Sequence, residues 1–270
     1  MNSLHTVLAA LALLPTTVAP RTQSAAETAF RPPAVPLVAC DPYFSIWSEA
    51  TRLTDDATRH WTRAKHELCS LIRIDGKTYR LMGDQPKDVP PMEQESVQVL
   101  PTRSIYEFKS PEADVVLTFM TPVLPDDLDV LSRPLTYVKW NVHAIDGKAH
   151  HVQIFFSASG ELAVNTMDEA LTWSRETAGD MQAMRIGTEA QPILGQSGDD
   201  MRIDWGYAYL ASPEAEATSI APQSDCIEQF TTSGGLPPDD TRMPRPARDS
   251  TPAMALTLDL VSVAEQTMTT

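Results

Sequence analysis

The sequence predicts an all-β protein: an antiparallel, supersandwich-like β-sandwich with short helices only in its connections. Three observations carry this. About a dozen short apolar or alternating runs recur at close, regular spacing, with few windows of helical period. The 22 prolines are spread along the whole chain, and a proline inside a helix removes a hydrogen bond and clashes with the preceding turn. Turn dipeptides separate the runs, Asp75-Gly76 being the strongest hairpin signal. Hydrophobic residues make up 42% of the 270, enough to bury a core.

Taken in order, Pro32, Pro33 and Pro36 fix an extended path into Leu37–Ala39 and Tyr43–Trp47, two short extended segments broken by Asp41-Pro42. A charged, turn-rich span from Glu49 to Lys65 follows, with a helical turn or two expected over Asp55–Lys65. Leu68–Ile74 is a β-rich run closed by Asp75-Gly76. Val97–Phe108 reads as one extended stretch, with Pro101 at an edge or bulge. Val115–Thr121 is apolar on both parities, which predicts burial on both faces. A second helical turn is expected over Asp126–Leu131. Leu135–His143 alternates, and Asp146-Gly147 is expected to fold it into a hairpin with His151–Ala158. Another hairpin is expected from Ala170–Trp173 and Met181–Ile186. Met201–Leu210 reads as a strand with Ile203, Trp205, Tyr207 and Tyr209 on one side, and Met254–Val261 as the last strand. Leu236–Ser250, rich in proline and charge, reads as a connector before it.

The formal net charge is -15, which repels nucleic acid, and no basic stripe offsets it. The apolar run within Thr6–Leu14 has signal-peptide length, and Ser24-Ala25-Ala26 fits a small-x-small cleavage site before Glu27. Met1–His5 lacks the usual Lys or Arg. Export to the periplasm or the extracellular space is the expectation. No other segment has transmembrane length. The three cysteines, Cys40, Cys69 and Cys226, are too few and scattered for a disulfide framework or zinc site. One pair could form, Cys40–Cys69 ahead of the others, and the odd count argues against a designed set.

Each candidate for chemistry competes with a structural role. Asp126-Asp127 with Asp129, and Asp199-Asp200 with Asp204, lack the spacing of a calcium loop and read as turn and cap residues. His150 and His151 point to opposite strand faces, and His143 faces them across the expected hairpin, so a pair could approach without forming a metal site. Ser157–Gly160 has the residue types of a nucleophile elbow at the wrong spacing, so a buried turn is expected there. No cofactor or metal is expected. The strongest cluster is Trp47, His60 and Trp61 beside Asp41 and Tyr43. Aromatic rings near charges can form a sugar platform, pack against another domain, or make a satellite core under a long loop.

Several phrases carry a resemblance. They are Pro33–Leu37, Asp41–Ser48, Leu53–Asp55, His60–Thr62, Ile72–Tyr79, Ser96–Arg103, Phe119–Pro134, Glu161–Asn165, Gln196–Asp200, Ile203–Tyr207 and Asp240–Arg245. In order, and over roughly Phe30–Leu260, they resemble the N-terminal region of the glutaminase A family. The resemblance implies secreted proteins that hydrolyse glutamine to glutamate and ammonia. It also implies that an N-terminal β-sandwich region leads into a helical toroid holding the active site. The expected layout is a signal peptide at 1–26, a family segment at 27–83, the sandwich at 84–235, and a linker with the last strand at 236–270. No catalytic residue carries over, because the helical part would begin where this sequence stops. The expected partner is that helical catalytic domain, with Tyr43, Trp47 and Trp61 at the contact. The alternatives are a carbohydrate-binding or glycosidase accessory module, with a small-molecule or glycan contact, and a self-sufficient hydrolase.

Overall fold

The computed structural model describes residues 31–179, 181–263 and 268–269. The expected signal peptide at 1–26 lies outside the described residues.

The chain opens with a ribbon of β1 (Val35–Asp41) and β2 (Phe44–Ser48). β3 (Leu68–Ile74) and β4 (Lys77–Met82) form the hairpin that Asp75-Gly76 predicts. Both turn residues take positive φ, 48° and 89°, the two-residue turn whose twist matches paired strands. β5 (Glu93–Leu100), β6 (Arg103–Lys109) and β7 (Ala113–Met120) form a meander. The expected single stretch Val97–Phe108 is therefore two strands. Pro101 sits in the turn between Leu100 and Arg103, where its missing N–H costs no ladder bond. α1 (Leu128–Leu131) is the turn expected there, capped by the Asp127 carboxylate, which accepts from Val130 N at 3.0 Å.

β8 (Tyr137–Ala144) and β9 (His150–Ser159) follow, and then β10 (Ala170–Ala178) and β11 (Met181–Thr188), which pair as expected. β12 is Ala208–Ala211, β13 Ala217–Pro222, β14 Arg245–Pro246, β15 Pro252–Val263 and β16 Met268–Thr269. Two five-stranded antiparallel sheets, β13-β15-β9-β3-β4 and β16-β8-β7-β6-β5, stack to make the sandwich, and β12-β11-β10-β14 forms a third sheet. The expected β8–β9 hairpin is thus corrected. Asp146-Gly147 sends the chain from one sheet to the other, and the two strands face each other across the core. Trp140 on β8 meets Phe156 on β9 edge-on with ring centroids 5.4 Å apart. Its Nε1 donates to Ser70 Oγ on β3 at 3.2 Å.

β7 has one buried face, Ala113, Val115, Leu117 and Phe119, and its other face is half-exposed. The expected double burial belongs instead to β3 and β9. Their second face carries Cys69, Leu71 and Phe155, which pack against α2 (Gln223–Ser233) through Cys226, Ile227 and Phe230. The sequence reading missed this helix. Its buried residues Gln223, Cys226, Ile227 and Phe230 follow helical spacing, and Gly234 ends it at φ 80°. The short apolar stripe is the reason it escaped notice.

Two further expectations fail. Asp55–Lys65 holds no helix; isolated bridges from Arg59 to Trp47 and to Lys65 shape it. In Met201–Leu210 only β12 is a strand, because Gly206 at φ 76° breaks the chain. There Ala208 and Leu210 face the core while Tyr207 and Tyr209 are exposed. All three cysteines are free. Cys40 packs against the sandwich core and Cys69 lies on the α2 side, so the sheet separates them.

The Leu236–Ser250 connector is tied down. Trp173 Nε1 donates to Asp240 O at 2.7 Å, and Arg175 pairs with Asp239 at 2.7 Å. After β9, a 3-10 turn at Gly160–Ala163 passes beneath the third sheet. A Cβ on Gly160 would come within 2.7 Å of Leu171 Cδ1 and 2.9 Å of Pro252 O. Only glycine lets these layers approach so closely.

Candidate functional site

The candidate site is built on the turn between β1 and β2. Asp41 Oδ1 accepts from Tyr43 N at 2.7 Å and Phe44 N at 3.0 Å, a side-chain-closed turn. The turn presents the Pro42 carbonyl, which accepts from Trp61 Nε1 at 2.5 Å and lies 3.1 Å from His60 Nε2. A carbonyl can only accept, so His60 carries its proton on Nε2. Nδ1 is then free to accept from Thr62 Oγ1 at 2.9 Å. Burial pushes the His60 pKa down, although the bond to Pro42 opposes the shift, so the ring is neutral at pH 7.

The structure therefore gathers Asp41, Tyr43, His60 and Trp61 around one carbonyl. Tyr43 and Trp61 are about half exposed, at 54% and 48%, while His60 is fully buried. Trp47 is half-buried and plays another part. Its N–H donates to Arg59 O at 2.7 Å, Arg59 N donates back at 2.9 Å, and its Nε1 donates to Ser45 Oγ at 3.0 Å.

A second layer lies behind this hub. His66 lies against His60 with the rings tilted by 51° and centroids 5.0 Å apart, is wholly buried, and among the described residues neither ring nitrogen has a side-chain or main-chain hydrogen bond. Burial, with the positive field of its neighbours, lowers its pKa to about 3. Lys65 pairs with the buried Glu67. Glu161, also buried, has its carboxyl pushed up by burial, and its Oε2 has no partner. Ile203 N donates to Tyr43 O at 3.1 Å, docking the Gln191–Tyr207 loop on the hub. A cleft of about 200 Å³ opens there, lined by Tyr43, Met201, Arg202, Asp204 and Trp205 among others. Arg202, Glu161, Glu67, Lys65 and His66 were not singled out from sequence. Two of them, Glu161 and Arg202, fall within or beside resembling phrases, but no residue spacing marks them as a set.

The remaining candidate acids and histidines have structural roles. His150 sits between Asp75 at 2.6 Å and Asp146 at 2.9 Å, and His151 reaches Asp259 at 2.8 Å. His143 lies on the other sheet from both. Ser159 Oγ accepts from Glu161 N at 3.2 Å, opening the 3-10 turn. Asp204 Oδ2 accepts from Gln196 Nε2 at 2.9 Å. Among the described residues no three His, Cys, Asp or Glu side chains converge as metal ligands.

The family described as Domain of unknown function (DUF5127) matches residues 102–270. The chain belongs to this DUF5127 family. A second family, Domain of unknown function (DUF4964), matches residues 8–93, which include the whole Pro42 hub. The cleft-lining loop lies in the DUF5127 part, so the candidate site is built where the two matched segments meet. A Glutaminase A from Aspergillus oryzae (strain ATCC 42149 / RIB 40) is 28% identical over 244 residues, covering 86% of this chain. The DUF5127 chain is thus glutaminase A-like over most of its length, and it spans 35% of that relative.

The buried imidazoles set a pH response. Because the folded pKa of His66, about 3, lies below the ordinary value of 6.5, the unfolded chain takes up a proton that the folded one refuses. His66 therefore costs no stability above pH 6.5 and destabilises the fold progressively as pH falls toward 3, by up to about 1.4 kcal/mol per pH unit. His60 acts in the same direction. His150 opposes them: its hydrogen bonds to Asp75 and Asp146 raise its pKa, so its contribution is complete below 6.5 and fades as pH rises through the folded value. Urea unfolding at pH 7.5 and 5.0 should show a larger stability loss on acidification in the wild type than in His66→Gln. Equal losses in the two proteins would refute the assignment.

Proposed function

We propose that these residues form the non-catalytic β-sandwich portion of an exported glutaminase A-like amidohydrolase. In this reading glutamine hydrolysis takes place on a helical domain, and the sandwich packs against it to wall one side of the cleft. The observation that carries the reading is the match to a Glutaminase A over 86% of this chain but 35% of the relative. The exposed rings of Tyr43 and Trp61 support a contact at the β1–β2 turn, since half-exposed aromatic side chains are the usual anchors of interfaces. Export, with cleavage before Glu27, belongs to the same reading and is tested by mass spectrometry of the secreted chain. A carbohydrate platform receives less support, because the ring beside Trp61 is His60, tilted by 41° rather than coplanar.

The test is ammonia release from glutamine by the purified chain from Glu27 to Thr270, after circular dichroism confirms a folded β protein. A folded, silent sample is expected. Turnover that scales with protein and disappears on denaturation would place catalytic groups within these residues and overturn the proposal.

A further inference from the structure

The cleft beside Tyr43 holds a cation that has no anionic contact among the described residues. Arg202 is anchored by its main chain, whose N–H donates to Asn165 Oδ1 at 3.0 Å, and by Nε, which donates to Val164 O at 3.3 Å. Its two terminal nitrogens make no hydrogen bond, and no carboxylate lies within ion-pair distance, among the described residues. Arg175 and Arg245, by contrast, are paired with Asp239 and Asp240, both at 2.7 Å. An arginine fork pinned at Nε, on a residue that lines a cleft, is prepared for a planar, two-oxygen acceptor.

We infer that Arg202, at the mouth of the Tyr43–Trp205 cleft, is a binding residue for the carboxylate of a small amino acid. The cleft, of about 200 Å³, suits a ligand of that size. Tyr43, Met201 and Trp205 give it apolar walls, which fit the carbon chain of such a ligand. A polyanion is disfavoured, because the chain carries a formal net charge of -15. Behind the arginine stand the two imidazoles. His66 is wholly buried with neither ring nitrogen hydrogen-bonded among the described residues, and His60 lies against it at 5.0 Å with its ring tilted by 51°. Arg202 lowers the pKa of both, after the larger effect of burial. Its charge is therefore felt at these rings, and an anion bound to it would be felt there too. Burial also depresses the pKa of Arg202 itself, against weaker opposing fields from Glu169 and Glu161, as expected for a cation short of a counter-ion.

The inference rests on the glutaminase A reading only in the choice of glutamate as the probe. NMR of the histidine ring signals of the full chain reads it, with L-glutamate or acetate as titrant and sodium chloride at matched ionic strength as control. Glutamate and acetate should move the His60 signals saturably, and chloride should not. Arg202→Gln should weaken glutamate binding between about tenfold and a hundredfold, the worth of one charged hydrogen bond, with the melting temperature unchanged. Should that variant unfold, Arg202→Lys, which keeps the charge and loses the fork, should still bind more weakly than wild type. No saturable shift in a folded sample, or equal affinity in the arginine variants, would overturn the inference. A chain that binds acetate but not glutamate would keep the carboxylate contact and refute the amino-acid ligand. A failure of the ammonia assay to match the proposed function would leave this titration unaffected.

Discussion

Trp140→Ala lowers the unfolding free energy by about 3–5 kcal/mol, the range for removing a large buried aromatic side chain. Trp140 is 3% exposed and stands where the two five-stranded sheets meet. It packs edge-on against Phe156 at 5.4 Å and donates its indole N–H to Ser70 Oγ at 3.2 Å. Three losses coincide: transfer free energy, a cavity between layers that cannot collapse without sliding a sheet, and a buried hydroxyl deprived of one donor. Trp140→Phe keeps most of the volume and should cost clearly less, which separates packing from the hydrogen bond. Urea unfolding monitored by far-UV circular dichroism checks both. A loss under about 1 kcal/mol for the alanine variant would mean that the sheets repack around the gap.

Arg80→Met is expected to cost about 3 kcal/mol or more, although it replaces a charge with an apolar side chain of similar length. Arg80 is 8% exposed and has no carboxylate partner among the described residues. Its guanidinium instead binds three main-chain carbonyls: Nε to Val89 O at 2.9 Å, and Nη1 to Thr54 O at 2.8 Å and to Gly83 O at 2.9 Å. It thereby ties the loop before β3, the turn after β4 and the approach to β5 to a single strand position. Methionine strands all three acceptors in the interior. Arg80→Lys keeps the charge but lacks the planar fork and should recover only part of the loss. A near-neutral methionine variant would show that water reaches those carbonyls. Because Thr54 lies in the segment that leads to His60, the variant should also loosen the candidate site, visible as faster amide exchange over residues 54–62.

Much of the fold was legible because its signals are local. Asp75-Gly76 sets a two-residue turn through φ alone. Asp127 caps the one-turn helix α1 through its own carboxylate, and the β10–β11 pairing follows from two runs joined by a short turn. In the candidate site, the Asp41-closed turn beside two tryptophans and a histidine was visible as residue types. That His60 and Trp61 share the Pro42 carbonyl of the Asp41-closed turn, while Trp47 pairs with Arg59, was not. Those contacts join residues some twenty positions apart through an irregular loop that has no period to read. Arg202 and Glu161 were less legible still, since each reaches the site from a different connection.

The sequence by itself determined that the chain is a β-sandwich, where most strands begin and turn, and which family it resembles. The fold class and the turns follow from backbone sterics and from alternation along one strand, which need no knowledge of the neighbours, and the resemblance follows from whole phrases that match in order. Only the tertiary structure decided which sheet each strand joins. β8 and β9 carry matching alternation whether they pair side by side or face each other, and the facing arrangement buries Trp140 against Phe156. It also decided that β3 and β9, rather than β7, are covered on both faces, because that depends on where α2 lands. Burial is a property of layers, and layers form between segments whose distance along the chain leaves no local mark.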